Sequence, residues 1–316
     1  MKKEIIATFL IAITLSGFAQ QVPIVSHFMY DNLRTNPGST GSLDMVCVNG
    51  IIRDQMIGFP GNPTNFFFNA EVPFNLLGGR HGVGLSITND AIGFNQDIQP
   101  SLSYAYRFSL GDATLGVGLS AGLVQSTLSS PDWSPVTGTA TDDSSIPQGD
   151  ADMTFNLGAG IFYRSEEIFF GVSVLNLTSP EVVTPPSEGG VNDATYNLKR
   201  HYYVTAGYNM QLNNPAWELK PAVLLRSDGS TADMDINLTA VYNKKFWGGV
   251  SYRTGAAVIG MAGLELIENL KVGLAYDFQT SALTNHTAGG YEVMVNYCFK
   301  LGVEKAPQKY KSIRYL

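Results

Sequence analysis

The stretch ATLGVGLSAGL, residues 113–123, decides the fold. In an extended chain Leu115, Val117, Leu119, Ala121 and Leu123 share one face, while Thr114, Gly116, Gly118, Ser120 and Gly122 share the other. A helix would scramble these two sets; a strand, with its period of two, keeps them apart. The pattern returns in MDINLTAVY (234–242), where Met234, Ile236, Leu238, Ala240 and Tyr242 oppose Asp235, Asn237 and Thr239. It returns again in YEVMVNYCF (291–299), where Tyr291, Val293, Val295, Tyr297 and Phe299 oppose Glu292, Met294, Asn296 and Cys298.

Carried along the chain, this alternation gives about fourteen strands, starting near residues 44, 64, 82, 96, 113, 152, 167, 199, 216, 232, 246, 256, 270 and 289. Short connections at 109–111, 164–167 and 243–245 alternate with long ones at 129–151 and 178–198. An even strand number with short turns at one end and long loops at the other describes an all-β, antiparallel outer-membrane barrel. Aromatic residues supply a second signal. Tyr104, Tyr106, Phe108, Tyr163, Phe169, Trp217, Tyr242, Phe246, Tyr297 and Phe299 sit near the short-turn ends, and Phe66, Phe68, Tyr202, Tyr252, Phe278 and Tyr291 near the opposite ends. Two such bands match the interfacial girdles of barrels. The competing architecture is a soluble sandwich, which must bury one face of each strand against a second sheet.

Composition points the same way. Apolar residues make up 44% of the chain and charged ones only 15%, against about 25% charged in soluble domains, so little charge is left for a water-facing surface. A net charge of -7 argues against nucleic-acid binding, which favours a basic patch. The first residues, MKKEIIATFLIAITLSGFAQQ, have two lysines, an apolar core and Gly17-Phe18-Ala19, the three-part pattern of a signal peptide cleaved after Ala19. As a signal anchor, the apolar run falls short of the roughly 20 residues a spanning helix needs. The expected organisation is a signal peptide at 1–19, an N-terminal periplasmic or plug segment at 20–43, the barrel at 44–301 and a basic periplasmic tail at 302–316. The segment SSPDWSPVTGTATDDSSIPQGD (129–150), with three prolines, reads as an irregular surface loop.

Candidate chemistry is sparse. None of His27, His81, His201 and His286 sits in HExxH or shares a strand face with another His or Cys at ligand spacing, so neither a metal nor a cofactor is expected. His286, in an outer loop near Asp277, is the one base suited to a rim site; no motif supports it, and the chain reads as non-enzymatic. Strand parity puts Arg226, Asp233, Asp235 and Arg253 on the lumen faces of three successive strands, where opposite charges favour one register. Glu292 and Asp277 suit the same network, and Glu265 faces Lys271 across a hairpin. Cys47 and Cys298 fall on the inward faces of the first and last strands, which must pair to close the barrel. That placement fits either a disulfide across the seam, in an oxidising envelope, or two free thiols in an offset register.

The segments SHFMYDNLRTNPGSTGS, HGVGLSITNDAIG, LSYAYRFSLG, FNLGAGIFYRSEEIFFGVSVLNL, RHYYVTAGYNMQL, LKPAVLLRSDG and KKFWGGVSYRTGAAVIGMAGLELIENLKVGLAYDF, in this order and spacing, resemble the PorP/SprF family of type IX secretion membrane proteins. The similarity runs from about residue 20 to 302. This resemblance implies an outer-membrane barrel of Bacteroidota-type bacteria that works with the type IX secretion and gliding machinery. It implies help in exporting or attaching particular large surface proteins, often adhesins, through a C-terminal sorting domain on the cargo. The implied partners are outer-membrane lipid, the cargo, and other secretion components, including periplasmic peptidoglycan-associated proteins. Relatives commonly carry Asn-Pro-Ala, an aromatic, then Ala-Gly where this chain has Asn36-Pro37-Gly38-Ser39-Thr40-Gly41.

Residues 20–43 carry no strand alternation, and their mixture of side chains suits a polar lumen or a partner surface. They are expected to fold into the barrel as a partial plug, with His27, Phe28, Met29, Tyr30, Arg34, Asn36 and Pro37 as its contacts, rather than to trail as a flexible leader. Two functions remain open: a secretion accessory, or a porin or transporter passing a small solute. Glycines on the inward faces leave room for a channel or for a plug.

Overall fold

The structure is a computed structural model that describes residues 23–128, 149–150, 153–184 and 194–300. Fourteen strands form one antiparallel barrel. They are β1 (Val46–Asp54), β2 (Thr64–Leu76), β3 (Gly79–Ile92), β4 (Asn95–Leu110), β5 (Ala113–Leu128), β6 (Thr154–Arg164), β7 (Ile168–Leu175), β8 (His201–Tyr208), β9 (Trp217–Ser227), β10 (Ala232–Tyr242), β11 (Phe246–Arg253), β12 (Ala257–Ile267), β13 (Leu270–Gln279) and β14 (Gly290–Phe299). Each strand pairs with the next in sequence, and β1 pairs with β14 from Val46 opposite Phe299 to Asp54 opposite Tyr291. The ring is therefore closed, which removes the free edges that make open sheets prone to association. Every observed start lies within three residues of the one read from the periodicity.

The end that holds residues 44–45 and 300 carries tight turns, such as Leu77-Gly78, Gly111-Asp112 and Glu268-Asn269. Leu77 and Gly78 have φ of 51° and 78°, and Asn243 and Lys244 have 49° and 53°. Two consecutive positive values suit the primed hairpin turns, whose twist matches that of the flanking strands. At the opposite end, residues 55–63, 129–153, 176–200 and 280–289 make longer connections. Within the connection expected at 178–198, Glu181–Thr184 pairs with Ala194–Asn197 as a separate ribbon. Of the expected irregular loop, residues 129–148 lie outside the described residues, and Gly149–Asp150 extends the sheet beside β5. The expected signal peptide (1–19) and basic tail (302–316) also lie outside them.

The outer surface rules out the sandwich. Leu102, Leu119, Val250 and Leu274, from β4, β5, β11 and β13, are each more than half exposed. Apolar side chains exposed on all sides of one closed sheet need lipid as their solvent. The inner surface is the reverse: Arg53, Asp235 and Glu292 are no more than 1% exposed. One expected member of the aromatic bands moves. Phe169 faces inward, buried against Phe162, and the adjacent Phe170, 47% exposed, takes the lipid-facing place. Two consecutive phenylalanines at a strand end cannot both face out, and the inward run Phe169, Gly171, Ser173 sets the parity.

Candidate functional site

The interior of the barrel is occupied by the chain that precedes β1. From Pro23 to Leu43 it makes only short helical turns, at Phe28–Tyr30, Asn32–Thr35 and Pro37–Ser39. An irregular segment buried this deeply must find partners for its polar groups. They come from the inward faces of strands around the ring.

On one side the partners are charges. The backbone amides of Ser26 and His27 donate to the Glu292 carboxylate at 2.7 and 2.8 Å, and His27 Nδ1 lies 2.6 Å from the same carboxylate. Arg53 donates to Glu292 at 2.9 Å, to Ser26 Oγ at 2.5 Å and to Asp277. Arg253 then links Asp277 at 3.4 Å to Asp235 at 3.0 Å, and Arg226 completes the row on Asp235 at 3.1 Å. The row spans β1, β14, β13, β11, β10 and β9, passing β12 at Ile259, which is fully buried opposite Asp277. Asp233 faces Arg226 in the β9–β10 register and is half-buried at the end of this row. Alternating signs let each charge satisfy its neighbours, the condition under which buried ions persist.

On the other side the partners are backbone and glycine. A Cβ on Gly116 would overlap the Gly38 carbonyl, on Gly118 the Pro37 carbonyl, on Gly82 the Thr40 carbonyl, and on Gly160 the Asn36 amide. The Asn36 side chain donates to Ile161 and Val172 carbonyls at 3.0 and 3.3 Å, and accepts from the Gly38 amide at 2.9 Å. Ser173 Oγ donates to the Thr35 carbonyl at 2.5 Å, and the Gly41 amide donates to Glu71 at 2.6 Å. Pro37 opens the last helical turn, where its missing N–H is no loss.

Apolar side chains fill the space between. Phe28 packs with Phe162, Phe169, Tyr203, Ala222 and Leu224, while Val25 joins Ile51, Phe67, Ile259 and Met294. Met29 touches both clusters. His27 stands edge-on to Trp247 at 5.5 Å, and Tyr30 lies 5.7 Å from the same ring. Arg34 bonds Asp31 at 2.5 Å and covers the Phe67 ring at 4.7 Å, and Asn69 donates to the same Asp31. Where the segment leaves the interior, Asp44 is clamped by Arg80 and Arg107. Burial alone would raise its carboxyl, but the two guanidinium hydrogen bonds hold it below the ordinary value.

Among the described residues, cavities lie on either side of the segment. One, of about 290 Å³, lies toward the short-turn end between Tyr30, Leu43, Asn49, Arg164 and Lys271. The other, of about 90 Å³, lies toward the long-loop end between Arg34, Thr88, Pro100, Asn156 and Tyr203. Leu33 borders both.

At the seam Cys47 and Cys298 are direct register partners and form a disulfide. The structure does not bring His286 into a catalytic arrangement: His286 is exposed, and the Asp277 carboxylate is taken by Arg53, Arg253 and Ser26. Glu265 accepts from the Asn269 amide at 2.7 Å, capping its turn, while staying opposite Lys271 in register. Among the described residues no group of three or more metal-ligating side chains converges. Sequence reasoning missed Ser26 and Asp31 as contact residues of the segment, and Glu71 as its partner in the wall. Arg53 was legible on the inward face of β1, yet nothing in its parity said that it would meet Glu292.

A closed fourteen-stranded antiparallel barrel with an apolar exterior, holding Pro23–Leu43 in its interior, has the architecture of outer-membrane barrels. The sequence matches the family described as type IX secretion system membrane protein PorP/SprF over residues 17–297, and the chain belongs to that family. A comparison with curated proteins finds no match. Among solved structures the chain resembles the CymD monoaromatic hydrocarbon channel, with a TM-score of 0.50 at 10% identity, covering 90% of this chain and 95% of that one. It also resembles the Ralstonia pickettii toluene transporter TbuX, with a TM-score of 0.49 at 11% identity, covering 86% and 94%. At such identities the likeness concerns the fold alone.

Proposed function

We propose that the protein is a non-enzymatic outer-membrane component of the type IX secretion and gliding machinery that assists export or surface attachment of specific large proteins bearing a C-terminal sorting domain. The observation that carries this reading over a solute-passing porin is the packed interior: Pro23–Leu43 is tied to both halves of the wall and itself lines the cavities found toward each end. A porin needs a continuous polar path, whereas an accessory needs a rigid scaffold with partner surfaces at its two ends. On this reading the short-turn end faces the periplasm and the long loops face outward. Crosslinking in intact cells followed by mass spectrometry tests it. Recovery of a large exported protein with a sorting domain is expected; recovery of none, with the barrel correctly inserted, would overturn the assignment.

A further inference from the structure

The cavity of about 290 Å³ at the short-turn end is bordered by three cations, Arg164, Lys220 and Lys271. Lys220 has a carboxylate partner, Glu218, at 3.1 Å. The other two are held by rings: Arg164 lies 5.3 and 5.4 Å from Phe162 and Phe169, and Lys271 lies 5.6 Å from Tyr30. Among the described residues neither meets a carboxylate within ion-pair distance. The two carboxylates at this cavity are already engaged, Asp31 by Arg34 and Asn69, and Glu71 by the Gly41 amide. Asn49 adds an independent sign. It borders the same space at 4% exposure, and both its amide nitrogen and its amide oxygen lack a hydrogen-bond partner. A buried amide with neither group paired costs free energy that a ligand can recover.

We infer that this cavity is a docking pocket for an acidic peptide segment of a periplasmic partner, with Arg164 and Lys271 receiving its carboxylates and Asn49 pairing with a peptide group. A phosphate or other compact anion would use donors only. An asparagine amide presents a donor and an acceptor together, which matches the peptide group. The size suits a short segment: at about 290 Å³ the cavity falls just under the range of about 300–1,000 Å³ for ligand pockets, room for a side chain or two with their peptide group rather than a folded domain. Asn209 and Asn269, from the turns of this end, are among its lining residues, which places the cavity beside the short-turn mouth of the barrel. Guanidinium over aromatic rings is pre-oriented, and an incoming carboxylate adds to the cation–π contact instead of replacing an existing ion pair. The pocket deepens the secretion reading, on which its periplasmic orientation rests.

The test uses the full chain in detergent micelles and fluorescence anisotropy with a fluorescein-labelled tetraglutamate peptide. Arg164→Gln combined with Lys271→Gln is expected to weaken binding at least tenfold, and Asn49→Ala about threefold. Arg200→Gln, in a connection at the opposite end, is expected to change nothing. Heat-modifiable migration on gels confirms that each variant is folded. Wild-type affinity in the folded double variant would overturn the proposal, as would equal binding of a tetraglutamine peptide or full displacement by inorganic phosphate at matched ionic strength. These outcomes do not depend on cargo. If cargo is still recovered by crosslinking while the peptide fails to bind, the pocket falls and the secretion reading stands; the reverse result overturns the secretion reading and leaves an acidic-peptide pocket at the short-turn end without its periplasmic partner.

Discussion

The two halves of the wall hold the same segment by different physics. From β3 to β7 the grip is steric and neutral: carbonyls at Pro37, Gly38 and Thr40 lie where a Cβ would be on Gly118, Gly116 and Gly82. From β9 round to β1 the grip is ionic, centred on Glu292 and Arg53. A neutral seat depends on shape and ignores salt. An ionic latch depends on every member of the row, because removing one leaves another buried without compensation. The segment can therefore be expelled by bulk at one wall or unlatched by charge at the other, and the two routes have different signatures.

The largest effect is expected at the glycine seat. Gly118→Leu directs a branched side chain into the Pro37 carbonyl, and no rotamer relieves a clash that begins at Cβ. Overpacking typically costs about 1–3 kcal/mol where neighbours can yield; here the segment itself must leave. Limited proteolysis within residues 23–43 should rise sharply in this variant at any ionic strength. Unchanged protection would show that the seat is not what holds the segment.

Next comes Glu292→Gln. The side chain keeps its shape but loses the charge shared by Arg53, His27 and two amides. Breaking a buried pair costs about 3–5 kcal/mol, so partial release of the first residues is expected, measured as faster hydrogen exchange at Ser26 and His27 with no change at Gly38. Equal acceleration at both places would erase the distinction between the two walls.

The smallest effect belongs to the seam. Cys47→Ser combined with Cys298→Ser removes a crosslink between strands that also share a nine-residue ladder from Val46 to Asp54. With the ladder intact the barrel should still close, and only its melting temperature in detergent should fall by a few degrees. A variant that cannot assemble would assign closure to the disulfide rather than to pairing.

Much of the fold was legible because lipid outside and polar lumen inside impose one binary pattern on every strand. Leu119 and Gly118 already declare their faces in the sequence. The site was less legible. Gly116 and Gly118 read identically as channel lining and as a seat, since the absence of a side chain does not say what fills the space. Ser26 and His27 lie outside any strand and carry no periodicity to place them. Phe169 misled because position near a strand end says nothing about face. Cys47 and Cys298 were legible as inward-facing residues of the two seam strands, but parity and strand order left their register open; the structure makes them direct partners.

The central claim is that Pro23–Leu43 fills the lumen, and single-channel conductance in planar bilayers tests it most directly. The intact protein should show little or no steady current, and a variant lacking residues 20–40 should open a stable pore of defined conductance. Equal currents from the two proteins would contradict the account.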